Sequence, residues 1–437
     1  MQIRSLIPAR TSRLLLIVTM TFVAFTAFAA PTWQGHEGQE NGVVTVYNPA
    51  VPMNEPSVIK ATPQWRVGAE DGEADVLFGL VTDARRTPDG RTYVLDAVLS
   101  TVYEMSTDGE VLRTLGKEGD GPGEFRNATS LALMPDLSIG IVEMMPSHMM
   151  VLGQDGLPQA GIDLNDGEGG RSHVQRLELV DDTIVMSMFS MRFADGGAEI
   201  SNLLGVYDTQ GNHKTNVMHV SEKQSGGSIS ISSGDDLDFT NNWTIGADGQ
   251  IVVYQRTQEY LMEIFGLDGQ PTKRIRRDYE SIRREESDIE AQRQQQREMA
   301  ERFGNNPDNE IQEMARDIGQ VVSRPNGEIW VVSSQGQQSC PEGHLGVFDV
   351  FDAKGRFDRQ MTIEADYDPS ADNFVIRGDY LYVFKEAQNA PPRTMTGGGG
   401  NMQMTMISGS GSSEDDDDDG EEPLPFEVIC YELPSKN

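Results

Sequence analysis

The sequence predicts an all-β protein: a six-bladed β-propeller of four-stranded blades, closed by its N-terminal strand and carrying one helical insertion. Three observations lead there. The first is self-similarity. Pro88-Asp89 recurs as Pro135-Asp136 and Asp108-Gly109 as Asp155-Gly156, both at an offset of 47 residues. Anchors that stay in step across a whole unit mark a repeat architecture. The second is the grammar of each unit: a short strand, an Asx-Gly turn, a β-branched and aromatic strand, a loop, an alternating strand and a second Asx-Gly turn. Four antiparallel strands in 40 to 50 residues make a propeller blade. The third is composition. Forty-five glycines in 437 residues, with few long apolar runs, suit a turn-rich β protein.

The elements follow in chain order. Residues 1–29 read as a signal peptide: Arg4, Arg10 and Arg13 precede an apolar stretch from Leu14 to Phe28, and Ala27-Phe28-Ala29 forms an A-x-A cleavage site. The stretch is shorter than the roughly 20 apolar residues a spanning helix needs. The expectation is therefore export to the periplasm or medium, with cleavage near Ala29 and no membrane span in the mature chain. Residues 30–60 read as a flexible lead-in, and 61–437 as the propeller. Gln64 to Val67 matches an outer strand, while the last unit stops at its third strand, Phe426 to Leu433. The N-terminal strand should therefore complete blade six and remove two exposed edges. Between blades four and five, residues 278–319 are charged, glutamine-rich and free of glycine until Gly304, which predicts a helical hairpin. Within blade six, residues 394–422 are Gly-rich and then acidic, which predicts a disordered loop.

The stretch "LGKEGDGPGEFRN" (Leu115 to Asn127) could be mistaken for a nucleotide loop. A P-loop needs Lys-Ser/Thr after its last glycine, and a dinucleotide loop opens a helix; here a strand follows. The glycines instead serve the return path between blades, and Phe125 fills the gap between them. Together "GDGPGEFRNATSLALMPD" and "IVEMMPSHMMVLGQDG" resemble the NHL type of six-bladed propeller, whose pattern is G-x-G-x-G-x-F, an apolar strand, a D-G turn, V-x-D and an alternating strand ending in D-G. The resemblance is clear in blades one and two, partial in four and five, and weak in three and six. It implies the architecture of exported bacterial propellers, not an activity.

Charge and chemistry narrow the function classes. The net charge is −34, and becomes −37 once the signal leaves. Nucleic acid is excluded as a partner by repulsion from phosphates. Export permits a disulfide between Cys340 and Cys430; two separate buried thiols are the alternative. None of the six histidines forms a close metal pair, and only His173 lies near the start of an inner strand. No G-x-S-x-G occurs. Asp96 and Glu143 recur at equivalent places, which suits a structural hydrogen bond. Six residues before the first-turn Asx of each unit stand Asp83, Ser130, Gln175, Asn242, Gln320 and Asn373. All are polar, in strands expected to line the channel. They form the candidate ligand site at a channel mouth, for a small polar or cationic ligand. The resulting expectation is a monomeric exported module that binds a small ligand or a protein, without cofactor and without an identifiable catalytic constellation. The alternative is a calcium-dependent hydrolase or lyase, which similarity to gluconolactonase-type propellers would imply. Three or four oxygens converging within coordination distance at one mouth would separate the two.

Overall fold

The computed structural model describes residues 32–68, 76–144, 147–165, 171–194, 197–225, 242–254, 258–303, 311–390, 393–396, 403–406 and 426–434. The expected signal peptide and the acidic run from Glu414 to Glu422 lie outside these residues.

Six four-stranded antiparallel blades form a propeller ring. Their innermost strands are Val81–Arg86, Ala128–Leu133, Arg171–Val180, Trp243–Ile245, Ile318–Ser323 and Asn373–Arg377. Apolar side chains alternate along the strands and pack both faces of each blade against its neighbours. Six buried clusters result, one at each blade-to-blade interface. Tyr93, Leu131 and Ile139, for example, join blades one and two, and Trp65, Tyr103 and Tyr382 join blades six and one. A blade alone would leave one or both apolar faces in water, so the ring is the unit that folds.

Closure occurs as the sequence predicts. The strand Thr62–Val67 pairs antiparallel with Glu427–Glu432, with Val67 opposite Val428, and completes blade six. The blade connection Leu115–Asn127 also behaves as expected. Phe125 is fully buried in the cluster between blades one and two. Gly116 has φ +76°, and a Cβ there would lie 2.2 Å from the Phe125 ring. Gly116→Ala is therefore expected to cost about 2–4 kcal/mol, combining a left-handed backbone with overpacking. Chemical denaturation would measure it, and a loss below about 1 kcal/mol would mean the connection can shift to accommodate the methyl.

The segment expected to be a lead-in is instead structured. Strands β1 (His36–Glu40) and β2 (Val43–Asn48) form a hairpin around Asn41-Gly42, both at positive φ. β2 then pairs parallel with the outer strand of blade four, Pro271–Arg277. β3 (Ser57–Lys60) pairs parallel with the outer strand of blade five, Phe357–Glu364. The chain thus covers the outer edges of blades four and five before closing blade six as β4 (Thr62–Val67). The physical reason is edge satisfaction: an outer strand leaves a row of unpaired backbone groups, and these strands pair with them.

Among its described residues the insertion holds one helix, α1 (Glu286–Phe303), in which Ile289 is buried. The second helix of the expected hairpin is absent from residues 311–317. There the chain runs back beside 282–284, with Arg284 N–H donating to Glu313 O at 2.8 Å and Ala315 N–H to Ile282 O at 2.8 Å. Ile318 and Gly319 already belong to the inner strand of blade five. In blade six, residues 393–396 and 403–406 pair as an antiparallel hairpin inside the segment expected to be disordered. Cys340 and Cys430 are both free: Cys430 is buried between blades six and one, while Cys340 donates to the carbonyls of Pro341 and His344.

Candidate ligand site at one mouth of the channel

The inner strands do not run straight to the mouth. In blades one, two, three and five a β-bulge inserts one extra residue that the strand register skips: Thr82, Thr129, Gln175 and Gly319. A bulge lets two successive residues turn towards one side of a strand. Both members of each pair line one cavity: Thr82 with Asp83, Thr129 with Ser130, Gln175 with Arg176, and Gly319 with Gln320. The cavity has a volume of about 1650 Å³. Its wall continues to Asn373 of blade six and to the loops around Cys340 and Tyr367. Burial pushes the Tyr367 phenol up to about 12, so it remains a neutral hydroxyl at the rim.

Five of the six residues singled out from sequence therefore meet at this wall: Asp83, Ser130, Gln175, Gln320 and Asn373. Asn242 does not. It is buried, its carbonyl accepts from Tyr254 N–H at 2.9 Å, and no bulge interrupts the short inner strand that follows it. The sequence count also drifts in register. Blades three and six turn through only two residues, Asp181-Asp182 and Gly378-Asp379. Gln175 and Asn373 consequently sit further towards the mouth than Asp83, Ser130 and Gln320 do.

The floor of the cavity is a belt of charge. From blade one, Arg85 reaches Glu178 of blade three, with Nη1 to Oε2 at 2.7 Å, and its Nε contacts Asp83 Oδ2 at 3.2 Å. From blade six, Arg377 donates to Glu178 Oε1 at 2.9 Å and lies 3.4 Å from Asp83 Oδ1. Arg176 completes the belt. It donates to Glu178 Oε1 at 3.0 Å and to Trp243 O at 2.7 Å, and its guanidinium stacks over the Trp243 ring. Burial pushes the Glu178 carboxyl up, but Arg377, Arg85 and Arg176 outweigh it and hold the group well below its ordinary range. Burial likewise disfavours the charge on Arg85, which Asp83 and Glu178 more than restore. For Arg176 burial prevails and its pKa falls. Arg85, Arg176 and Arg377 also line a second cavity of about 830 Å³, so the belt divides the channel in two.

Arg85, Arg176, Glu178 and Arg377 were not singled out from the sequence. A signal was present. Asp83 with Arg85, and Arg176 with Glu178, are i, i+2 pairs in inner strands, and such pairs share a face. Asp96 behaves as its recurrence suggests, accepting the backbone N–H groups of Gly79, Leu80, Val98 and Leu99. Glu143 accepts from Arg126 N–H at 2.9 Å and contacts His148. His173 lines the cavity and stacks on Phe189. Among the described residues no three His, Cys, Asp or Glu side chains are placed to hold a metal ion.

Fold and site together define a six-bladed β-propeller whose channel is interrupted by a charged belt beneath a polar mouth cavity. Among solved structures it is similar to a Bacteroides fragilis protein classed as exported (12% identity, covering 88% of this chain and 100% of that one, TM-score 0.45). It is also similar to the calcium-binding protein regucalcin from Agrobacterium tumefaciens (11% identity, 87% and 97% covered, TM-score 0.38) and to virginiamycin B lyase from Staphylococcus aureus (7% identity, 75% and 97% covered, TM-score 0.39). Likeness at this level carries no functional assignment, and the architecture rests on the strand pairing described above. No family model and no curated protein sequence matches the chain. No helix among the described residues is long and apolar enough to cross a membrane.

Proposed function

We propose that the protein is an exported, monomeric binding module that takes a small polar ligand in the mouth cavity. The observation that carries this reading is the convergence of hydroxyl, amide and carboxylate side chains from five blades on one concave wall. Ligand sites combine such a cavity with a few placed polar groups, and bulged strands recur beside them. The N-terminal Arg-containing apolar segment supports export, and the Gly-rich blade connections support an NHL-type repeat in blades one and two.

The test is a thermal-shift screen of the mature protein against sugars, polyols and amino acids, followed by titration of each hit. The double variant Gln320→Leu/Asn373→Leu replaces two wall residues from adjacent blades. Losing their hydrogen bonds should weaken a bound ligand at least about tenfold. Unchanged affinity in a folded double variant would remove the mouth cavity from consideration.

A further inference from the structure

We infer that the ligand of the mouth cavity carries an anionic group, a carboxylate or a phosphate, which seats on the belt at the cavity floor. This rests on the mouth-cavity reading above and adds the chemical class. The argument is one of charge balance. Arg85, Arg176 and Arg377 bring three positive charges, and Asp83 and Glu178 bring two negative ones. Their side chains are between 4% and 23% exposed. One positive charge is thus left over among mostly buried side chains, within a protein whose overall charge is strongly negative. A buried charge without a counter-charge is costly, and burial already lowers the pKa of Arg176.

Nε of Arg377 and Oγ of Ser130 have no hydrogen-bond partner among the described residues. An anion arriving from the mouth would neutralise the surplus charge, and small rotations would bring these donors to it. Guanidinium groups suit this task because their fork matches a carboxylate or phosphate. Of the rim carboxylates, Glu342 lies exposed to solvent, where its charge is screened, and the other two have partners. Asp366 pairs with Arg66 and Lys385, and Asp368 accepts from Ser370. The opposite cavity is less suited to an anion, because Glu178, Asp89 and Asp379 all line it.

The experiment is titration of the mature protein, at constant ionic strength, with inorganic phosphate, D-glucuronate and D-glucose, read by calorimetry and thermal shift. The expected result is that glucuronate, phosphate or both bind at least tenfold more tightly than glucose, and which of them does so separates a carboxylate from a phosphate ligand. Arg377→Gln should remove that preference, with Arg377→Lys as a second variant that retains the charge but loses the fork. Asp83→Asn deletes a competing carboxylate and should strengthen anion binding severalfold. The inference is overturned if no anion binds, if glucose binds as tightly as glucuronate, or if Asp83→Asn weakens the anion. Equal binding of both sugars, lost in Gln320→Leu/Asn373→Leu, would preserve the mouth cavity and reject only the anion. Anion binding that ignores that double variant would move the site to the opposite cavity and overturn the placement.

Discussion

Glu178→Ala is expected to destabilise the propeller by about 3–5 kcal/mol, the cost of breaking a buried ion network from one side. Glu178 is the carboxylate on which Arg85, Arg176 and Arg377 all converge. Without it three guanidiniums face one another with only Asp83 to balance them. Because the three arginines come from blades one, three and six, the repulsion acts across the ring rather than within one blade. Urea denaturation measures the loss, and Glu178→Gln separates charge from hydrogen bonding, since glutamine can still accept from one guanidinium. If Glu178→Ala costs less than about 1 kcal/mol, water in the two cavities must screen these charges, and the charge-balance argument for an anionic ligand weakens with it.

The second large effect is expected at Asn48, in the N-terminal segment that covers blades four and five. Its side chain is almost completely buried and satisfied on every side. Nδ2 donates to the carbonyls of Arg276 at 3.1 Å and Gly355 at 2.9 Å. Oδ1 accepts from Trp33 Nε1 at 2.9 Å and Phe357 N–H at 2.7 Å. One residue thereby ties β2 to both blades. Asn48→Ala would remove all four bonds and leave the Gly355 carbonyl and Phe357 N–H without this partner in buried surroundings; since each buried unsatisfied group costs about 1–3 kcal/mol, a net loss of about 2–5 kcal/mol is expected. Hydrogen exchange should show β2 and β3 losing protection together. If residues 36–60 are only loosely attached, the variant will change local exchange but leave global stability within about 1 kcal/mol.

How far these features were legible in the sequence varies from element to element. The blade count, the closing strand and the role of Phe125 were readable because each depends on local patterning: Asx-Gly turns, alternation, and a recurring unit. The N-terminal hairpin was missed although Asn41-Gly42 between "HEGQE" and "VVTVYN" is a strong hairpin signal. Its parallel pairing with blade four could not have been read, because the partner strand lies over 200 residues away and parallel pairing leaves no turn between the partners. The second helix of the insertion failed for a similar reason. Residues 311–317 have helix-compatible composition, but backbone bonds to 282–284 hold them extended.

The site shows the same division. Counting back from the turns brought Asp83, Ser130, Gln175, Gln320 and Asn373 to one wall, since residues at matched strand positions of a repeat return to matched places in a ring. The count failed at Asn242, and it drifted where two-residue turns replaced longer ones. The charged belt joins blade three to blades one and six, which are not its neighbours, and no local pattern specifies which arginine meets which carboxylate. By itself, then, the sequence determined the repeat, its closure and the polar character of the inner strands, because these follow from periodicity and turn chemistry. Only the tertiary structure decided that bulges would widen one mouth, that the N-terminal strands would cover the outer edges, and that three arginines would meet two carboxylates on the axis. Those outcomes depend on distances across a closed ring, which a linear pattern does not encode.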